Sequence, residues 1–331
     1  LKEIFFEISD LKKVEILVGE NYYNKFINEK KYNNYIIFDK KVELINRMKL
    51  NNSIPLIGNE NLKSLDKYLT LLLKLSEIEI NSVNVFGGYS VLDFSGYTLE
   101  NIGIDNYSFF PTTLNSAIML PIKGKYYLNF NWKKDYLIQK GYPQQIIIDM
   151  KFFESISRRE FRNMFIVPYI IGKILNSKIA NLALNYSKMN FSNIDLQDFV
   201  FYSIKQWVYY LKNENDIFPG ESIIPLFYNK KTGFNKNYIE IFAISFIIEL
   251  YISWYYGFLD FETFEKIEKE ILDNFNVSYK LIETINFKTF YCSNKFVLFT
   301  SSGKLIEYKI SCEELKTILK EVKEYFRGGF L

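Results

Sequence analysis

Histidine is absent from these 331 residues. Its absence removes the commonest metal ligand and the usual general base near neutral pH. A zinc site would have to be assembled from carboxylates and water, a poor donor set for a borderline-soft ion. Cysteine is nearly absent: Cys292 and Cys312 exclude a disulfide framework and a thiolate metal cluster. They read as apolar packing residues in a reducing, cytoplasmic setting, with a single bridge between them as the alternative. An excess of one charge is missing as well. The 41 Lys and Arg are interspersed among 38 Asp and Glu, net +3, with no basic stripe for a nucleic acid. No run of roughly 18 uncharged apolar residues occurs. The nearest, Tyr238 to Tyr256, contains Glu240 and Glu249 and reads as a buried helix, so no membrane association is expected. The first residues lack the basic-then-apolar order of a signal peptide.

What is present is apolar and aromatic. Hydrophobic residues make up 48% of the chain, with 26 Tyr and 31 Phe, enough for a large core. Short apolar runs end at turn residues: Val14 to Val18 at Gly19, Tyr35 to Phe38 at Asp39, Ser53 to Ile57 at Gly58, Val83 to Phe86 at Gly87-Gly88. Tyr107 to Phe110 ends at Pro111-Thr112-Thr113, and Ile146 to Ile148 at Asp149. Helical patterns separate them, among them Leu62 to Leu75 with Leu65, Leu69, Leu72, Leu73 and Ile78 on one side. This alternation predicts an α/β, Rossmann-like parallel-sheet domain over residues 1–150. From Lys151 on, the pattern turns helical, giving a mainly α-helical domain over residues 151–331. Ser157 and Glu160 form a capping-box signature, and Pro168 should kink or end its helix. Phe296 to Phe299 and Leu305 to Ile310 read as a strand pair.

The stretch from Val83 to Asn129 carries the candidate chemistry. Two strand ends deliver glycines, hydroxyls and a carboxylate to one sheet edge, where open α/β sheets bind ligands. Gly87-Gly88, after a strand and before a helix, is either a tight turn or a place for a pyrophosphate to meet helix N–H groups. It is not the GxGxxG fingerprint. Asp93, inside an apolar helix, is either an internal hydrogen-bond anchor or a ligand contact. Lys123, Lys125, Lys133 and Lys134 either meet a phosphate or carboxylate or face solvent, and Lys123-Gly124-Lys125 suggests a small hairpin with Tyr126 to Phe130.

In order along the chain, these motifs resemble the 3-dehydroquinate synthases, within the sugar-phosphate cyclases and the related glycerol dehydrogenases. Gly58 to Leu65 is similar to a GExxKxL segment, and Gly87 to Tyr97 to GGGVVGDLAGF. Pro111-Thr112-Thr113-Leu114 is PTTL unchanged, and Lys125 and Asn129 match the lysine and asparagine of GGKTGIN. Glu240, Ala243 and Gly257 fit a helix beginning HGEAVA, and Lys295 to Leu298 fits a late RFVL strand. The resemblance implies NAD bound between two domains and a zinc ion held by one Glu and two His. It gives cofactor roles to Asp39, Glu60, Lys63, Gly87, Gly88, Asp93, Thr112 and Thr113. It gives substrate or phosphate roles to Lys125 and Lys288, and places Lys134 near the cofactor. It also implies a homodimer, or pairing with a related chain.

The departures from the pattern fall on the chemistry. Val167 stands at the metal-ligand Glu, Ile170 at the lysine one helical turn on, and Tyr238 at the second His. The first His would lie within Leu226 to Thr232, which holds none. Tyr89 replaces the third glycine, Met119 an aspartate, Asp135 an asparagine and Trp207 a lysine. The first expectation is therefore a relative without the zinc-dependent synthase reaction and without zinc, keeping a nucleotide or small-anion site, or acting as a structural or regulatory partner. The second is an active NAD-dependent cyclase, lyase or dehydrogenase with metal-independent chemistry, using Lys125, Lys134, Lys288 or a tyrosine.

Overall fold

The computed structural model describes all residues except 1, 10–11, 25–33, 49, 51, 190–194, 214–217, 229–232, 235–236, 286–294 and 329–331. Among the described residues the first half holds nine strands with helices between them: β1 (Lys2–Ser9), β2 (Lys12–Gly19), β3 (Asn34–Asp39), β4 (Ser53–Leu56), β5 (Ser82–Gly87), β6 (Tyr107–Pro111), β7 (Lys125–Phe130), β8 (Lys133–Lys140) and β9 (Gln145–Asp149). Seven of them form one sheet in the order β1-β2-β9-β6-β5-β3-β4. All neighbours in it are parallel except β1 and β2, an antiparallel hairpin at one edge. The apolar runs form these strands because their side chains are buried on both faces, as a parallel sheet requires.

One face of the sheet packs Val83, Val85 and Phe109 against the helix Tyr89–Asn101 and the β7–β8 hairpin. The other face packs Phe86, Phe110 and Ile147 into a core that runs on through the helical half to Phe242 and Leu319. From Arg158 on the elements among the described residues are helical, apart from the antiparallel pair β10 (Lys295–Phe299) and β11 (Leu305–Lys309). The central helix, Tyr238–Tyr255, is long and apolar enough to cross a membrane, but 83% of its window is buried inside the protein. It is apolar all round because other elements surround it.

Several local expectations change. Ser157 and Glu160 form the capping box as read, but the chain breaks at Met164-Phe165, and Pro168 sits in the first turn of the next helix, Ile166–Leu175. A proline there loses no intrahelical N–H bond. The helix Leu65–Ser76 buries Leu71 and Leu75, whereas Leu65, Leu69 and Leu73 are 38%, 46% and 63% exposed. A 3-10 turn over Glu60–Lys63 precedes it, so the helix starts late and its inward face is set by the 71/75 pair. The hairpin partner of β7 is β8, not the Lys123-Gly124-Lys125 segment. Its turn is Asn131-Trp132, both with positive φ, while Gly124 (φ +66) ends a helix. Cys312, read as a packing residue, is disulfide-bonded. It is half-buried at the start of Cys312–Phe326, off the apolar face made by Leu315, Ile318 and Val322. Cysteine usage therefore no longer argues for a reducing compartment.

Candidate functional site

The C-terminal ends of β3, β5 and β6 open onto a cleft of about 600 Å³. Asp39, Glu60, Gly88, Thr112 and Thr113 line it from the sheet side, and Asn163, Asn237 and Tyr238 from the helical side. Asp39 closes β3. Its carboxylate accepts from the amides of Lys41 (3.0 Å) and Gly58 (3.2 Å) and holds the next strand's exit loop against it. Thr112 N–H donates to the Gly87 carbonyl at 2.9 Å, locking the ends of β5 and β6 together. Thr113 caps Leu114–Ile118 in a capping box with Ser116.

The two glycines differ. A Cβ at Gly87 would meet Val91 Cβ at 2.6 Å, so packing alone demands glycine there. At Gly88 a Cβ would find only Thr113 at 3.7 Å. Gly88 sits at the N-cap of Tyr89–Asn101 with no side-chain cap. Its bareness leaves the start of a four-turn helix open to the cleft, a setting that favours anions.

Beneath the cleft wall lies a buried charge network that the sequence did not reveal as a unit. Lys63 Nζ, wholly buried, pairs with Asp93 and Asp135 and lies 3.9 Å from Glu60. Lys134 Nζ contacts Glu60 at 3.0 Å and Asp135 at 2.8 Å. Asn129 donates to the Glu60 carbonyl at 3.0 Å and accepts from Asp135 N–H at 2.9 Å. Asp93 also accepts from Tyr127 N–H at 2.7 Å. Asp93 is thus an internal anchor: it lines neither this cleft nor its neighbour, and Lys63 also lies behind the wall. Burial pushes the Asp93 carboxyl up to about 7, with Lys63 limiting the rise. Burial opposes the charge on Lys63, but Asp135, Asp93 and Glu60 outweigh it and hold the ammonium well above its usual value. Lys134 and Lys63 likewise outweigh burial at Asp135 and Glu60 and hold both carboxyls low. With Asp93 protonated, two ammonium groups face two carboxylates.

A second cavity of about 360 Å³ adjoins the first, and Tyr89 and Tyr238 line both. Their rings stack at 5.0 Å and 20°. Lys134 and Asp135 line the second cavity, as do Tyr127, Tyr228 and Glu221, which sequence reasoning did not single out. They come from the hairpin, the 3-10 turn Ile224–Phe227 and its flanks, and no local spacing links them. Lys125 lines neither cavity, and Lys288 lies outside the described residues.

Two pairs of departures from the resembled pattern pack together, Tyr89 with Tyr238 and Met119 with Trp207. Val167 and Ile170 are fully buried in the core and offer no donor atom. Tyr238 stacks on Tyr89, and its phenol is held far on the protonated side by burial and by the Glu221, Asp135 and Glu60 carboxylates. A neutral phenol is a weak metal ligand. Met119 accepts at its carbonyl from Trp207 Nε1 at 3.2 Å, and the Trp207 ring stacks on Tyr210 at 5.4 Å. Asp135, at φ +53, sets its carboxylate between the two lysines. Among the described residues no group of three or more Cys, Asp or Glu side chains is arranged to hold a metal ion. The residues present do not fit zinc.

No family model matches the chain. It is 27% identical over 216 residues to a 3-dehydroquinate synthase of Saccharolobus solfataricus, a match covering 61% of this chain and 60% of that one. It is 25% identical over 304 residues to the 3-dehydroquinate synthase of Dictyoglomus turgidum, covering 85% and 84%. Among solved structures, a 2-deoxy-scyllo-inosose synthase complexed with carbaglucose-6-phosphate, NAD+ and Co2+ superposes with a TM-score of 0.72 at 13% identity, covering 97% and 99%. The 2-epi-5-epi-valiolone synthase of Streptomyces hygroscopicus, with NAD+ and Zn2+ bound, gives 0.71 at 13%, covering 96% and 99%. The relatives matched in sequence are 3-dehydroquinate synthases, and the architecture shared with the solved structures is the sugar-phosphate cyclase fold.

Proposed function

We propose that this chain is a family member that binds a dinucleotide such as NAD in its interdomain cleft and does not carry out the zinc-dependent synthase reaction. The observation that carries the reading is Val167 and Tyr238: one is sealed in the core, the other stacked on Tyr89, at two positions where the resemblance implies metal ligands. A metal there would supply Lewis-acid stabilisation commonly worth several kcal/mol, and these side chains offer none. The residues do fit a dinucleotide. Asp39 stands at the end of β3, where an acidic residue can take a ribose hydroxyl. Gly88 leaves the start of Tyr89–Asn101 open, and the Tyr89 ring is turned onto Tyr238. When bound, NAD would supply hydride-transfer capacity. This chain's residues would bind and orient it.

Calorimetric titration of NAD+ into the purified protein, with and without equimolar zinc chloride, separates this reading from family behaviour. The expected result is one binding isotherm whose Kd agrees within about twofold in the two conditions. Absence of binding, or a tenfold tightening on adding zinc, would overturn the proposal.

A further inference from the structure

The second cavity carries an inference that does not depend on nucleotide binding in the first. We infer that it is a binding site for an uncharged, flat aromatic ring bearing one or two hydrogen-bonding groups, and that Asp135 makes it refuse anions. At about 360 Å³ it falls within the range of small-molecule pockets. Tyr89, Tyr127, Trp132, Tyr136, Tyr228 and Tyr238 turn it into a box of rings. Trp132 and Tyr136, 45% and 43% exposed, stand at its mouth on the β7–β8 hairpin. Ring walls favour offset or edge contacts with another aromatic.

The lysines of this cavity do not make it an anion site. Lys123 is bound by both carboxylate oxygens of Glu221, at 2.7 and 2.6 Å. Lys134 is engaged by Glu60 and Asp135, and its ammonium lies over the Tyr228 and Tyr238 rings at 5.5 and 5.1 Å. Lys133 lies over the Tyr136 ring at 4.5 Å. An incoming carboxylate or phosphate would have to displace Asp135 from Lys134 and meet the Glu221 carboxylate nearby. A neutral ring meets neither obstacle. One polar group in the wall is unmatched among the described residues: the Tyr228 hydroxyl, on a residue 4% exposed, is buried without a hydrogen-bond partner there. A ligand hydroxyl or carbonyl would satisfy it, and leaving such a group unpaired is costly.

The test uses a matched pair of probes that share a ring system and differ in charge. Calorimetry at pH 7 measures 2-naphthol against 2-naphthoate, with myo-inositol as a neutral non-aromatic ring. Wild-type protein should bind 2-naphthol at least tenfold more tightly than 2-naphthoate, and myo-inositol should give no heat. Trp132→Ala, a change at an exposed turn, should weaken 2-naphthol by fivefold or more. Asp135→Asn keeps a side chain that tolerates positive φ, and it should tighten 2-naphthoate by tenfold or more by releasing the lysines. No binding of 2-naphthol, naphthoate binding as tight as naphthol, displacement by myo-inositol, or an Asp135→Asn protein with unchanged naphthoate affinity would each overturn the proposal.

Discussion

Lys63→Met should cost about 3–5 kcal/mol of folding stability, because it removes one partner from a buried ion network and leaves the others uncompensated. The side chain is wholly buried, and its ammonium joins three carboxylates carried on separate pieces of the fold. Glu60 belongs to the turn before Leu65–Ser76, Asp93 to the helix Tyr89–Asn101, and Asp135 to the β7–β8 hairpin. Without Lys63, Asp93 can escape by protonating, since burial already holds it near 7. Asp135 and Glu60 would then share Lys134 alone. Asp93→Asn in the Lys63→Met background should therefore recover part of the loss, with a coupling of about 0.5–3 kcal/mol in a double-mutant cycle. Urea unfolding at pH 7 measures all four proteins. A Lys63→Met loss below about 1 kcal/mol would mean that water or rearrangement compensates the carboxylates and that the network is not closed.

The second large effect is on pH dependence and centres on Glu249. This carboxyl lies mid-helix in Tyr238–Tyr255, 2% exposed, and accepts from the amides of Gly220 and Ser222. Burial pushes it from 4.5 up to about 8, with those two amides holding it down and Glu221 adding to the rise. The folded state thus binds the proton more tightly than the unfolded chain. Its contribution to stability is whole below pH 4.5 and is lost as pH rises through about 8. At about 1.4 kcal/mol per unit, a separation of that size corresponds to roughly 4–5 kcal/mol on full ionisation. Asp93 acts with the same sign up to about pH 7, so the two add. Asp135 and Glu60, held low, act oppositely and lose their contribution only in acid. Glu249→Gln should be about 1 kcal/mol less stable than the parent at pH 5, where one amide bond is given up. It should be more stable by about 2–3 kcal/mol at pH 9, where the parent carries a buried charge. Stability curves that run parallel from pH 5 to 9 would contradict this account of Glu249.

The sheet was legible because its strands are continuous apolar runs ended by turn residues, and a strand buried on both faces needs little else. The central helix was legible for the same reason. The Leu65–Ser76 face was misread because periodicity fixes which residues share a side but not which side faces in. In the fold it is the Leu71 and Leu75 side that faces in. The cleft residues were legible as a set, since Asp39, Gly88, Thr112 and Thr113 all sit at strand ends on one edge. The roles of Lys63 and Asp93 were not, because whether a buried charge meets a ligand or another side chain depends on residues far along the chain. Asp135 shows this most clearly. Alone it reads as a charge misplaced beside Lys134, and only the fold brings Lys63 to its other oxygen. The aromatic box escaped notice for a related reason. Tyr127 and Tyr228 are too far apart in sequence for spacing to join them to each other or to Tyr89, and in so aromatic a chain both read as ordinary core.

On our proposal, packed side chains stand where the resembled pattern places a divalent cation. Equilibrium dialysis of the whole chain against micromolar zinc, with metal counted by mass spectrometry and Zn2+ retention compared between wild type and Tyr238→Phe, tests it most directly. Either protein should retain well under about a tenth of an equivalent. One equivalent of zinc held by the wild type and lost in the Tyr238→Phe variant would contradict it.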